Sequence, residues 1–171
     1  NIKMSMNKAL SLLDDFVDPS DPDVDEPNSV HAYQTAERIR KKYPEDKEYQ
    51  IIGLIHDLGK VLVLPEFGYF PEFFSVGDIY PLGCKFQESN IYYEKQYHTQ
   101  CPDFLNTQFN TLNGIYKPNC GFDNVAMTFS HDYYLYNILL KSCTKLPVEA
   151  LYIIRYHSFY GWHTPHNKIR G

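Results

Sequence analysis

Closely spaced cysteines are absent. The four cysteines, Cys84, Cys101, Cys120 and Cys143, are far apart and form no CxxC pair, which argues against a zinc–thiolate site. There is no apolar run of about 18 residues and no signal-peptide pattern, so the expected setting is cytoplasmic, with reduced thiols and no membrane span. Positive charge is also scarce. The formal net charge is -5 and the Lys and Arg residues are scattered, which excludes the basic footprint of a nucleic-acid binder. The tightest basic cluster, "RIRKKYPEDKE" (38–48), is partly neutralised by its own acids and reads as a solvated helix face. Internal repeats, low-complexity tracts and regular series of short alternating strands are lacking too, so solenoids and β-sandwiches are not indicated.

What is present is globular. The 171 residues fit one domain, with an apolar fraction of 43 % and an abundance of tyrosine (15) and phenylalanine (11) suited to filling gaps between helices. Helical spacing of Leu10, Leu13, Phe16 and Val17 predicts a helix over 5–17. "DPSDPDVDEPNS" (18–29), with three prolines and five acids, is a connector, after which Asn28 or Ser29 can cap a helix through "VHAYQTAERIRKKY" whose inner face carries Ala32, Ala36 and Ile39. In "DKEYQIIGLIHDLGKVLVL" the positions Ile51, Leu54, Ile55, Leu58 and Leu62 recur at three and four and predict a buried helix. Proline, glycine and aromatics in 65–83 predict a loop, or a short β-hairpin near 67–83. Residues 84–120 read as loop with short helical turns. A further helix is expected from an Asp123 cap, with Val125, Phe129, Tyr133, Tyr136, Leu139 and Leu140 on one stripe, and another from Pro147 through "VEALYIIRYHSFY". The fold class is all-α.

Four of the seven histidines, His31, His56, His131 and His157, fall on or at the start of apolar helical segments, one per successive helix. A single histidine on such a face is normally a satisfied core residue. Four together, with Asp57 beside His56, make the donor set of a non-haem metal centre in a helical bundle. Adjacent helical side chains leave about 100° apart, so the His56 imidazole can hold one ion while the Asp57 carboxylate spans a pair. Among soft and hard donors the set contains imidazole and carboxylate only, which suits iron, manganese or zinc. Of the two His-Asp dipeptides, the second gives His131 as the ligand and Asp132 as its neighbour or a capping acid. His98, His163 and His166 lie in polar or proline-rich surroundings and are expected on the surface. Lys60, three residues after Asp57, is the only Lys or Arg in its apolar segment. It could hold a substrate hydroxyl and favour its deprotonation.

"HDLGK" with the upstream His31 resembles the HD-domain superfamily, whose members are metal-binding helical bundles. Longer segments resemble the myo-inositol oxygenase family more closely. They are "SDPDVDEPNSVHAYQTAERIRKKYP", "IIGLIHDLGKVL", "VGDIYPLGC", "YKPNCGFDNVAMTFSHDYYLY" and "LPVEALYIIRYHSFYGWHT", in order across roughly residues 10–164. This resemblance implies a diiron enzyme, with an Fe(II)/Fe(III) pair and O2 as co-substrate, that cleaves the ring of myo-inositol to D-glucuronate. It implies that His31, His56 and Asp57 hold one iron, that Asp57 bridges, and that His131 and His157 hold the other. It assigns substrate contacts to Asp18, Ser20, Lys60, Gly77, Asp78, His157 and Ser158, gives Lys60 the catalytic role, and calls for no organic cofactor. A monomer with a small polyol substrate is expected.

The family's last iron ligand is an aspartate on a helix some tens of residues beyond "YHSFYGWHT", and an arginine contact precedes the position of residue 1. Both segments are expected to be missing from this chain, and no acid follows His157 to substitute. "PEFGYFPEFF" also looks longer than is usual for the family. Two other functions compete: an HD-type phosphohydrolase, which would want more cations than Lys60 and Arg155, and a catalytically impaired helical binding domain, which would have no need of the ligand set.

Overall fold

The computed structural model describes residues 2–18, 26–71, 75–90, 93–142 and 145–163. The expected Ser20 contact lies outside these residues, as do Cys143 and His166, and the side chain of His163 is not described. The chain divides into two compact units, residues 1–77 with 129–157, and residues 78–128 with 158–171.

The first unit is helical and carries the site. Its α-helices are α1 (Met6–Ser11), α2 (Asn28–Lys42), α3 (Lys47–Ile55), α5 (His131–Lys141) and α6 (Val148–Tyr156). α2 packs on α3, α5 packs on α6 and on a 3-10 turn at Leu58–Val63, and α3 touches α6. Two apolar clusters hold this unit together. One joins Leu10, Leu12, Leu13, Ala32 and Val61; the other joins Ile52, Ile55, Leu135, Ala150 and Ile154. Leu54 and Leu58, on either side of His56–Asp57, pack against both.

Several expected boundaries move for local reasons. The first helix tightens to a 3-10 turn at Leu12–Asp15, which turns Val17 to solvent. α2 takes its N-terminal support from elsewhere: the Ser29 N–H donates to Asp14 Oδ1 (2.9 Å), and the Asn28 amide donates to the Leu13 and Phe16 carbonyls (2.8 Å each). Neither Asn28 nor Ser29 is the cap; Pro27 holds that position. The long helix expected across "IIGLIHDLGKVLVL" breaks at His56–Asp57 into α3 and the 3-10 turn, leaving Ile51 exposed while Ile52 and Ile55 are buried. α5 starts at His131 rather than after Asp123, because 122–124 form a separate 3-10 turn with Val125 extended after it. Its buried face is His131, Asp132 and Leu135, so Tyr133 and Leu140 of the expected stripe are exposed.

The second unit is mostly turns and aromatic contacts, with α4 (Pro102–Leu105) and α7 (Tyr160–His163). Among the described residues there is no strand and no hairpin near 67–83. Pro81 instead forms an isolated antiparallel bridge with Met127, and the Tyr116 hydroxyl donates to the Leu82 carbonyl (2.6 Å) beside it. His98 is half-buried rather than fully at the surface. Its ring stacks on Phe86 and on Tyr93 (4.8 Å each between centroids), and its Nδ1 is buried. Among the described residues no helix is long and apolar enough to cross a membrane.

Candidate metal centre

Four separate elements bring four imidazoles to one carboxylate. His31 comes from the first turn of α2, His56 from the end of α3, His131 from the start of α5 and His157 from the end of α6. Asp57 opens the 3-10 turn that follows His56. Its two oxygens divide the histidines two and two. Oδ2 faces His31 Nε2 at 3.7 Å and His56 Nε2 at 3.4 Å. Oδ1 faces His131 Nε2 at 3.4 Å and His157 Nε2 at 3.2 Å.

Two glycines permit this convergence. A Cβ on Gly53 would stand 2.6 Å from Ile39 Cδ1 and 3.3 Å from the Ala36 backbone, so its absence lets α3 lie close on α2. A Cβ on Gly59 would stand 1.9 Å from the His131 carbonyl oxygen, so the 3-10 turn and the head of α5 touch backbone to backbone. The glycine of "HDLGK" therefore sets the distance between Asp57 and His131.

The ring protons are placed by backbone carbonyls, which can only accept. Nδ1–H of His56 donates to Gly53 O (2.8 Å), that of His157 to Ile154 O (2.7 Å) and that of His131 to Ser75 O (2.9 Å). Each neutral ring then presents an Nε2 lone pair to the centre, as metal-ligating histidines do. His131 Nε2 and His157 Nε2 stand only 3.0 Å apart. Two lone pairs and a carboxylate oxygen at that separation repel unless a proton or a cation lies among them.

The pKa shifts show the proton's version of the answer. Burial works against a charge on His157, but the hydrogen bond and charge of Asp57 outweigh it, so its pKa is raised above 6.5. Burial drives His56 down to about 4 despite Asp57, leaving it neutral at pH 7. Burial pushes Asp57 up as well, yet His56, Lys60, His131 and His157 together hold it well below 3.8. A metal ion is the other answer. Donor atoms about 2.1 Å from a common ion lie roughly 3.0–3.4 Å from one another at octahedral or tetrahedral angles, which is the spacing of the His131, His157 and Asp57 atoms. The donor set thus fits two ions sharing Asp57: one at His31, His56 and Asp57, one at Asp57, His131 and His157.

Lys60 is buried beside this set. Its ammonium bonds Asp57 Oδ2 at 2.9 Å and Asp18 Oδ2 at 2.7 Å. Burial opposes its charge, but the two carboxylates outweigh burial and raise its pKa.

The family model described as Myo-inositol oxygenase matches residues 1–169. The chain belongs to the myo-inositol oxygenase family. Relatives in that family include Inositol oxygenase 4 of Arabidopsis thaliana, 48 % identical over 161 residues, which cover 94 % of this chain and 50 % of that protein. Inositol oxygenase of Danio rerio is 47 % identical over 164 residues (96 % and 58 %), and that of Homo sapiens 48 % over 162 residues (95 % and 55 %). The chain spans about half the length of the inositol oxygenases it matches.

Of the sequence-expected residues, His31, His56, Asp57, Lys60, His131, His157 and Asp18 converge in the first unit. Gly77 closes that unit with φ +86°, whereas Asp78 and Ser158 belong to the second, where the Ile79 N–H donates to the Ser158 carbonyl (3.1 Å). Sequence reasoning counted Arg155 only as one of the few cations near the histidines and took Asp132 for a neighbour or capping acid. Asp132 is completely buried, and its Oδ1 accepts from the adjacent Tyr133 N–H (2.7 Å). Burial raises its pKa against the pull of His131, His157 and Arg155. The available signal was a second His-Asp dipeptide at the head of an apolar helix.

Proposed function

We propose that this chain is the metal-binding part of an oxygenase that cleaves myo-inositol with O2 to D-glucuronate. The observation that carries the reading is the split of four Nε2 atoms, two and two, over the oxygens of Asp57. His31 and His56 would hold one iron, His131 and His157 the other, with Asp57 between them in an Fe(II)/Fe(III) pair. When bound, the irons would supply Lewis acidity toward a substrate hydroxyl and electrons toward O2.

The chain's own residues then do the positioning. The three Nδ1–H bonds to backbone carbonyls keep His56, His131 and His157 in the ligating tautomer. With its pKa raised, Lys60 retains its proton across the physiological range, so it acts as a donor and not as a base. It would donate to a substrate oxygen and stabilise the negative charge that develops there on deprotonation. Asp18 and Asp57 hold the ammonium in place. Substrate contacts at Gly77, Asp78, His157 and Ser158 complete the proposal, a set of mixed donors and acceptors that suits an uncharged polyol. A cytoplasmic monomer is proposed; Cys84, Cys101 and Cys120 are free thiols, as a reducing compartment leaves them.

The test is oxygen uptake by the full-length protein loaded anaerobically with Fe(II). Consumption of O2 only when myo-inositol is added, with glucuronate formed, is the expected result. Phosphate release from nucleotides without O2 uptake would overturn the reading.

A further inference from the structure

Asp132 and Arg155 are buried charges that the ligand set does not use. Asp132 has no exposed surface and Arg155 has 9 %. Asp132 directly follows His131 in the first turn of α5, where the helix dipole favours an anion; Arg155 lies in the last turn of α6, two residues before His157, where it favours a cation. The Arg155 guanidinium is held over the rings of Tyr133 (4.4 Å) and Tyr156 (5.0 Å). Asp132 Oδ2 faces Arg155 Nη1 at 3.8 Å, beyond hydrogen-bond length, and both atoms are buried without a hydrogen-bond partner. Their attraction therefore acts across the gap between the two helices.

That gap also sets the site. α5 carries His131 and α6 carries His157, and the two Nε2 atoms must stand about 3 Å apart to share an ion. Neither helix carries His31 or His56. A lost charge at Asp132 or Arg155 would let the head of α5 and the end of α6 shift, and the ligands on these two helices, His131 and His157, would be displaced first.

We propose that Asp132 and Arg155 are a positioning pair for the His131–His157 half of the centre, a buried charge clasp between α5 and α6 that governs the affinity of one of the two metal ions. The inference rests on the two-metal reading above. It differs from a purely structural ion pair, whose loss would weaken both ions in step with the fold.

The experiment is an anaerobic titration of the full-length protein with Fe(II), with Co(II) as a spectroscopic stand-in, alongside thermal melts of the metal-free protein. The variants are Asp132→Asn, which keeps the acceptor for the Tyr133 N–H, Arg155→Met, and the two combined. Wild type is expected to take two ions. Each single variant is expected to keep one at wild-type affinity and to bind the other about 10–100-fold more weakly, the usual effect of losing an outer partner of a metal ligand. The double variant is expected to be no worse than either single one, since the pair acts as a unit. Should Asp132→Asn fail to fold, Arg155→Lys, which keeps the charge, is expected to hold the second ion more tightly than Arg155→Met; equal weakening by the two would overturn a charge clasp. Wild-type affinity for both ions in a single variant overturns the clasp, as does equal weakening of both in step with Tm. Wild type that fails to take two ions overturns the two-metal reading itself.

Discussion

Lys60 shows how charge is arranged around the site at the level of one residue. It is buried between Asp57 and Asp18, and its raised pKa gives the sign of its effect. Its stabilisation is fully present below 10.5, the ordinary lysine value, and is lost only as pH rises through its raised folded value. Lys60→Met would leave two buried carboxylates without their cation. Removing one partner of a buried pair costs about 3–5 kcal/mol, so the metal-free variant is expected to unfold at clearly lower urea. Metal should recover part of this loss, because bound ions neutralise Asp57. Equilibrium unfolding with and without metal measures both effects. At this scale much of the site was legible in the sequence. Imidazoles and a carboxylate on apolar segments have few structural uses, so His31, His56, Asp57, His131 and His157 stood out before any geometry was known. His98 was misread because its partners, Phe86, Tyr93 and Phe104, are brought to it by turns whose course the local pattern does not specify. Arg155 was given no part in the site because one arginine in the last turn of an amphipathic helix is ordinarily solvated.

At the scale of elements, the decisive contacts are made by backbone. The 3-10 turn at Leu58–Val63 meets the head of α5 where Gly59 touches His131, a contact with no room for a methyl group. Gly59→Ala is expected to push these elements apart, with destabilisation of about 1–3 kcal/mol or more from overpacking. It should also weaken the ion at His131 and His157 before the ion at His31 and His56. A shift in Tm together with metal stoichiometry checks this, and an alanine variant with wild-type values for both would contradict it. Helix existence was readable from the 3.6-residue period, but helix ends were not. The α3 pattern continues smoothly through "IIGLIHDLGKVLVL", yet the backbone tightens at His56–Asp57 into a 3-10 turn, within which Lys60 pairs with Asp57 at i,i+3. The period over 121–142 similarly hid the start of α5 at His131, since Val125 and Phe129 fit a helical stripe and an extended segment equally well.

At the scale of the whole molecule, the five candidate ligands His31, His56, Asp57, His131 and His157 lie within one compact unit, while Asp78 and Ser158 of the proposed polyol contacts belong to the other. Family membership extends over nearly all of the chain, whereas the relatives are about twice as long. The all-α class followed from periodicity; the aromatic contacts and turns of the second unit did not, because they depend on pairings such as Tyr116 with Leu82 that lie 34 positions apart. The claim on which the account turns is that one carboxylate serves both ions. Iron counted per chain after anaerobic loading, in wild type and in Asp57→Ala, tests it directly. Two irons are expected in wild type and none in the variant; a folded variant that keeps one iron at wild-type affinity would rule out a shared carboxylate.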